Sequence, residues 1–371
     1  MIEAYHFDLL KRTLMGEIMR KPTLMDVAAA AGVSYATADR VLNSRGGVAE
    51  KSVLRVMIAI DQLGYKRDVT AANLARGRSY DFVFLIPSQA GAFFNELHAA
   101  VRREAHVRIN DRIAITLEEV RAFDADRLAD ALESCRDRNL AGVCLVAINS
   151  TRVRAAVQAL RANGVVVLTL VADTQADSRD AYIGLDNRAA GRTAGRFMSL
   201  ANRDGGVVLP IAGSLDAVDH AQRYTGFLEV LPKAVTVLPL IETFDRSKDV
   251  AEAVRKTINS HPNLSGIYSI GAGHNGLLAA LGGISDTAYR RPVVILHDLV
   301  DHVRTALNGG LIDAVIDQKP DDQIAMALDA MKSLSDGDPL PPNFGTIVPS
   351  LYFQDNLPPV HAGGPIESQT S

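Results

Sequence analysis

The chain has 371 residues, 47% of them hydrophobic, a formal charge of −4 and two cysteines. It is long for one domain and apolar enough for a large core, so a small head joined to a two-lobed body is the natural expectation. With no run long enough to span a membrane and no secretory signal at the N-terminus, the sequence fits a cytosolic protein, with Cys135 and Cys144 as buried free thiols.

Residues 1–21 precede the first recognisable element. From Thr23 to Asn43 the run TLMDVAAAAGVSYATADRVLN predicts two short helices around a tight turn. Thr23 is a good N-cap, and Leu24, Val27 and Ala28 recur at helical spacing. Gly32 stops the first helix, because only glycine enters the left-handed region cheaply. Val33 can plug the corner and Ser34 can cap a second helix. In that helix Ala38, Val41 and Leu42 face inward, which leaves Tyr35, Ala36, Thr37, Asp39 and Arg40 outward. Polar residues at the N-terminus of such a helix suit the DNA major groove, although an ordinary helical hairpin would show the same pattern. Charge favours the DNA reading: residues 20–79 carry +5, leaving −9 for the remainder of the chain. After a flexible loop at 44–47, a third helix is expected from about Ala49 to Leu63, with Val53, Val56, Met57 and Ile60 inward and Gly64 at its end. Residues 69–77, VTAANLARG, make too short a helix to be stable alone in water.

From Phe82 strands alternate with helices. FVFLI, IAITLE, GVCLVA and VVVLTL are apolar runs of strand length, separated by helical segments near 93–108, 124–138 and 151–163. After Tyr182-Ile183-Gly184 and a helix at 188–201, the alternation restarts with GVVLPI, VTVLPL, GIYSI, PVVIL and AVID. Continuous apolar strands between helices imply parallel sheets covered on both faces, here two in series.

The runs DVAAAAGVSYATADRVLN, VAEKSVLRVMIAIDQLGY and AANLARG resemble the lactose/galactose-repressor (LacI/GalR) family of bacterial regulators, closely over Pro22–Gly77. The rest resembles that family's sugar-binding body, of periplasmic-binding-protein architecture. The expected fold is therefore α/β: a helix-turn-helix head at 22–66, a hinge helix and linker at 67–80, and a ligand-binding body at 81–371. Its first lobe would take about 81–186 and 318–345, its second about 187–317 and 346–360. The resemblance implies that Tyr35 and Arg40 read bases while Thr23, Ser34 and Asn43 position the head on phosphates, with Ala36 and Thr37 beside them. Ala36 departs from family members that carry a long polar residue there, and Arg67-Asp68 replaces the usual Pro-Asn. Residues 69–77 become a hinge helix that folds when paired on DNA, with Leu74 as the wedge in the minor groove. Such regulators typically begin as Met19-Arg20-Lys21-Pro22-Thr23 does, so residues 1–18 are expected to be dispensable.

For the cleft, the resemblance implies that Phe93 and Phe94 stack on a sugar ring, Arg223 holds adjacent hydroxyls, and Asp298 accepts from hydroxyls. Gln318 lies where the chain crosses between lobes, and Asp173 and Asp219 are looser matches. Gly271-Ala272-Gly273-His274-Asn275-Gly276 imitates a dinucleotide fingerprint. Any parallel sheet needs small residues where a strand turns into a helix, so the better reading has the turn line the cleft, with His274 and Asn275 reaching the ligand. The adjacent His297 and Asp298 read as a cleft-lining pair. No nucleophile elbow or metal-ligand spacing is present, and neither cofactor nor metal is expected. The tail after Pro358 lacks the apolar heptads of tetrameric members, which leaves a homodimer.

The function expected is a ligand-responsive repressor of a carbohydrate or polyol operon, acting on a pseudo-palindromic operator. The alternatives are an importer's solute-binding protein, which needs an export signal and no basic head, and a sugar-modifying enzyme, which needs a base and a nucleophile.

Overall fold

The computed structural model describes residues 22–42, 46–65, 79–88, 91–284 and 290–359. Asn43, the expected hinge helix with Leu74, the N-terminal extension and the tail from 360 lie outside them. The chain divides into two compact units, up to Arg78 and from Ser79.

In the first unit, α1 (Leu24–Ala31) is opened by a reciprocal cap: the Thr23 hydroxyl accepts from Asp26 N–H at 3.3 Å, and the Asp26 carboxylate accepts from Thr23 N–H at 2.7 Å. Gly32 closes α1 at φ 59°, as its position predicts. α2 (Tyr35–Leu42) begins where Ser34 Oγ accepts from Thr37 N–H at 3.1 Å. α3 (Glu50–Leu63) lies across both, and Val27, Ala28, Ala31, Ala38, Val56 and Ala59 form the core. Ala59 takes the inward place expected of Met57, which is 55% exposed; the shorter side chain lets the three helices approach closely.

The second unit holds two sheets. The first has strand order β12-β5-β4-β3-β1-β2, built from β1 (Tyr80–Ser88), β2 (Ile113–Arg121), β3 (Gly142–Leu145), β4 (Val166–Leu170), β5 (Ala181–Leu185) and β12 (Thr346–Ile347), all parallel. Phe82, Phe84 and Ile86 of β1 face α4 (Ala92–Val107) and α12 (Pro320–Asp336). Val83 and Leu85 face α5 (Ala125–Ser134) and α6 (Thr151–Ala162). Alternate residues of one apolar run thus serve two cores, which is why the strand reads as continuously hydrophobic.

The second sheet runs β13-β11-β10-β9-β6-β7, with β8 also paired to β6. Its strands are β6 (Gly206–Ala212), β7 (Val235–Val237), β8 (Ile241–Glu242), β9 (Leu264–Ser269), β10 (Val293–His297), β11 (Ala314–Asp317) and the antiparallel β13 (Ser350–Tyr352). The single strand expected over VTVLPL is split into β7 and β8, because Pro239 cannot donate to the ladder. Helices α7 (Asn187–Ala201) and α8 (Val218–Val230) cover one face. The other face is covered by α9 (Ser247–Ser260), α10 (His274–Gly282) and α11 (Asp301–Asn308).

The chain crosses between lobes after β5, after β11 and between β12 and β13. The last crossing falls at 348–349, two residues later than expected, since a strand of two residues leaves no periodic signal. Among the described residues no helix is long and apolar enough to cross a membrane. Cys135 and Cys144 are both buried free thiols.

Candidate functional site

On the head, α2 presents Tyr35, which is 55% exposed, with Ala36 and Arg40 exposed beside it. Ser34 and Thr37 share a hydroxyl contact of 2.8 Å, so the cap of α2 also fixes the two hydroxyls expected to meet DNA.

The second unit holds a cleft of about 340 Å³ between its lobes, lined at the carboxyl ends of the strands by loops and by the first turns of the helices that follow. Of the expected ligand residues, Phe93, Phe94, Asp219, Arg223, Asp298 and Gln318 line it. The two phenylalanines lie edge to face, with centroids 5.3 Å apart; Phe93 is otherwise absorbed into the first-lobe core.

Arg223 organises the floor. It is 2% exposed and reaches its place because α7 and α8 cross at two glycines. A Cβ on Gly191 would lie 2.0 Å from the Arg223 carbonyl oxygen, and one on Gly226 the same distance from that of Arg188. The guanidinium donates from Nε to Asn187 Oδ1 at 2.8 Å, from Nη1 to the Ile270 carbonyl at 3.1 Å and from Nη2 to Gln318 Oε1 at 2.7 Å, with Asp219 3.8 Å away. Asn187 opens α7 just after the first crossing and donates to the Val171 carbonyl of the first lobe at 3.2 Å; Gln318 lies on the second crossing. Arg223 is therefore bonded to two of the three crossings.

Asp298 accepts from Gln318 Nε2 at 2.6 Å, and burial pushes its carboxyl up to about 7 against the pull of Arg223. Glu96, on α4 in the first lobe, is pushed up to about 8 by burial and then by the second-lobe carboxylates of Asp298, Asp317 and Asp301. Asp245 accepts from Ala272 N–H at 2.7 Å, and burial raises its carboxyl too. Phe123, Val171, Phe244, Asp245 and Asp298 all line the cleft and all have positive φ, between 48° and 71°. Aspartate tolerates that conformation, but phenylalanine and valine seldom adopt it, and such strain gathers at functional sites.

Four expected positions fall elsewhere. Asp173 is held away from the cleft by Arg179, whose Nε and Nη2 donate to it at 2.5 and 2.6 Å, and by Thr169. His274 is buried, with Nε2 3.0 Å from the Gly271 carbonyl, and burial lowers its pKa to about 4. Asn275 is exposed on α10 and does not line the cleft. His297 points into the core, 2.9 Å from the Tyr268 hydroxyl. The glycine-rich turn does line the cleft, but through Gly271 and Ala272 rather than through the side chains after them. The sequence reading missed Phe123, Asn149, Ser214, His220, Phe244 and Asp245 as lining residues. Their only signal is position: five follow the carboxyl end of a strand by two to four residues, and His220 stands in the first turn of α8, the helix after β6.

Residues 23–68 match the family described as bacterial regulatory proteins, lacI family, and residues 82–339 match the periplasmic binding protein domain. The ribose operon repressor of Bacillus subtilis is 26% identical, over 67% of this chain and 72% of that protein. The regulator MalR of Streptomyces coelicolor is 34% identical over 45% and 47% respectively. The regulator DegA of B. subtilis is also 34% identical, but the match spans only 25% of its length. Among solved structures, a solute-binding protein of an ABC transporter from Burkholderia graminis, in complex with D-arabinose, aligns with a TM-score of 0.68 at 21% identity, covering 75% of this chain and 96% of that one. At that identity the likeness concerns the fold.

Proposed function

This chain belongs to the lacI family of bacterial regulatory proteins, and from that premise we propose that it represses a carbohydrate or polyol operon in the cytoplasm, as a homodimer released or tightened on a pseudo-palindromic operator by a neutral polyhydroxyl effector. Tyr35 and Arg40 read bases, and Thr23, Ser34 and Asn43 hold the head on phosphates, with Ala36 and Thr37 in the same face. Leu74 enters the minor groove between paired hinge segments.

The observation that carries the effector half is the place of Arg223, in the cleft and bonded to Asn187 and Gln318 at two crossings. A ligand touching Arg223, Gln318 or Asp298 contacts the segments about which the lobes turn. It shifts the equilibrium between lobe arrangements by as much as its affinity for them differs. Charge supports a neutral ligand. Asp216, Asp219, Asp245 and Asp298 line the cleft with Arg223, whose three nitrogens each already have an acceptor. Carboxylates accept from hydroxyls, and they oppose a second anion.

Calorimetric titration with neutral sugars and polyols, beside the matching aldonates and sugar phosphates, tests this. The expected result is binding by a neutral member. Binding confined to the anions would contradict the assignment.

A further inference from the structure

Two phenylalanines from opposite lobes meet at the rim of the cleft. Phe123 follows β2 in the first lobe, and Phe244 follows β8 in the second. Their rings lie edge to face, with centroids 6.1 Å apart and planes at 82°. Both line the cavity, yet they are 38% and 49% exposed. A side chain that lines a cavity and also meets solvent lies at its boundary, so the pair joins the two lobes at the mouth, where Asn149 and Asp216 are exposed as well.

The backbone aims both rings. Phe123 and Phe244 have φ of 57° and 48°, which turns each side chain out of the line of the preceding strand. Phe244 N–H donates to the Gly213 carbonyl at 2.8 Å, fixing the turn to the end of β6. The next residue, Asp245, bonds to Ala272 on the glycine-rich turn of the cleft. The Arg246 guanidinium stands 5.5 Å from the Phe244 ring and pairs with Asp249 at 2.5 Å, which props that ring from outside. The lobes also approach at Gly91, where an added Cβ would lie 3.0 Å from Ala272 Cβ.

We propose that Phe123 and Phe244 form a gate that limits the cleft to a ligand of one sugar or polyol ring and excludes two-ring saccharides. The inference rests on the polyhydroxyl reading above. The cavity, about 340 Å³, is at the lower end of the range for ligand sites, about 300–1,000 Å³. A second ring would have to occupy the space that the two phenyl rings fill. With the gate closed, each phenyl also offers an apolar face or edge to the carbon side of the bound ring.

A test of the gate that needs no ligand places a thiol inside. Ala147 lines the cleft and is buried, while the native thiols Cys135 and Cys144 are both inaccessible. In the full chain carrying Ala147→Cys, N-ethylmaleimide should react at least tenfold faster than a fluorescein maleimide. Adding Phe123→Ala or Phe244→Ala should abolish that difference, with Phe123→Leu intermediate. Equal rates for the two reagents before the gate is altered, or a difference that survives both alanine variants, would overturn the gate. In parallel, calorimetry with D-ribose, D-arabinose, D-galactose and myo-inositol should find a ligand for the unaltered chain, while maltose and sucrose give no heat of binding. Binding of a disaccharide as tightly as of a single ring overturns the size limit. Failure of every saccharide and polyol, with the maleimide difference intact, overturns the polyhydroxyl reading and the ring-size assignment while leaving the closed mouth in place.

Discussion

Replacing Asp298 by asparagine separates what the cleft costs the fold from what it does for the ligand. Burial pushes this carboxyl from 3.8 up to about 7. At about 1.4 kcal/mol per pH unit, its ionisation is about 4 kcal/mol harder in the folded chain than in the unfolded one. Because the folded state holds the proton more tightly, wild-type stability falls as pH rises from about 4 to about 7, and the full penalty stands above that. Asparagine keeps an acceptor for Gln318 Nε2 and carries no charge. Asp298→Asn should therefore be more stable than wild type at pH 8 by about 2–4 kcal/mol, with the difference vanishing toward pH 4. Urea unfolding followed by circular dichroism across that range measures it. Neutralising Asp298 also removes one of the charges that raise Glu96, so the Glu96 carboxyl should titrate below its present value of about 8. Affinity moves the opposite way. A carboxylate that accepts from ligand hydroxyls contributes about 1.5–3 kcal/mol, so the variant should bind its sugar roughly tenfold to a hundredfold more weakly. A variant less stable than wild type at pH 8, or a difference that does not change with pH, would show that the buried Asp298 charge does not cost the fold stability.

Gly191→Ala should destabilise the body by at least about 1–3 kcal/mol, the usual cost of overpacking, and weaken ligand binding as α8 carries Arg223 away; denaturation and calorimetry report the two effects. Arg223→Ala removes the partner of Asn187, Gln318 and Asp219, and should lower stability by about 3–5 kcal/mol as well as abolishing the ligand response. Arg223→Lys should recover part of the stability and little of the affinity, because it lacks the planar fork. Arg40→Ala should reduce discrimination between operator and random duplex by about 1–3 kcal/mol in anisotropy titrations while changing nonspecific binding less.

The sequence carried the architecture because its signals are redundant. A capped helix, a glycine stop and a second capped helix specify the head, and apolar runs serving two cores specify both sheets. It carried less of the cleft. Arg223, Asp298 and Gln318 were identified through the family resemblance, and periodicity alone would have left them as polar residues at element ends. His297 and Asp298 show the difficulty. Strand alternation sends one into the core and the other to the cleft, and only the register against β11 says which. His274 and Asn275 went astray because the glycine-rich turn offers backbone to the cleft while the following helix turns its side chains away. Phe123 and Phe244 were invisible because their orientation depends on left-handed backbone at bulky residues, which no local propensity suggests.

In the proposed function, one chain couples a DNA-reading head to a ligand cleft. The most direct measurement selects duplexes from a randomised library with the full-length protein, then titrates the enriched duplex by fluorescence anisotropy with and without the sugar or polyol that the cleft binds. The expected result is an enriched site of two related half-sites in inverted order, and a change in affinity of at least tenfold, about 1.4 kcal/mol, when the effector is present. Absence of any enriched sequence, or an affinity for DNA that the bound effector leaves unchanged, would contradict it.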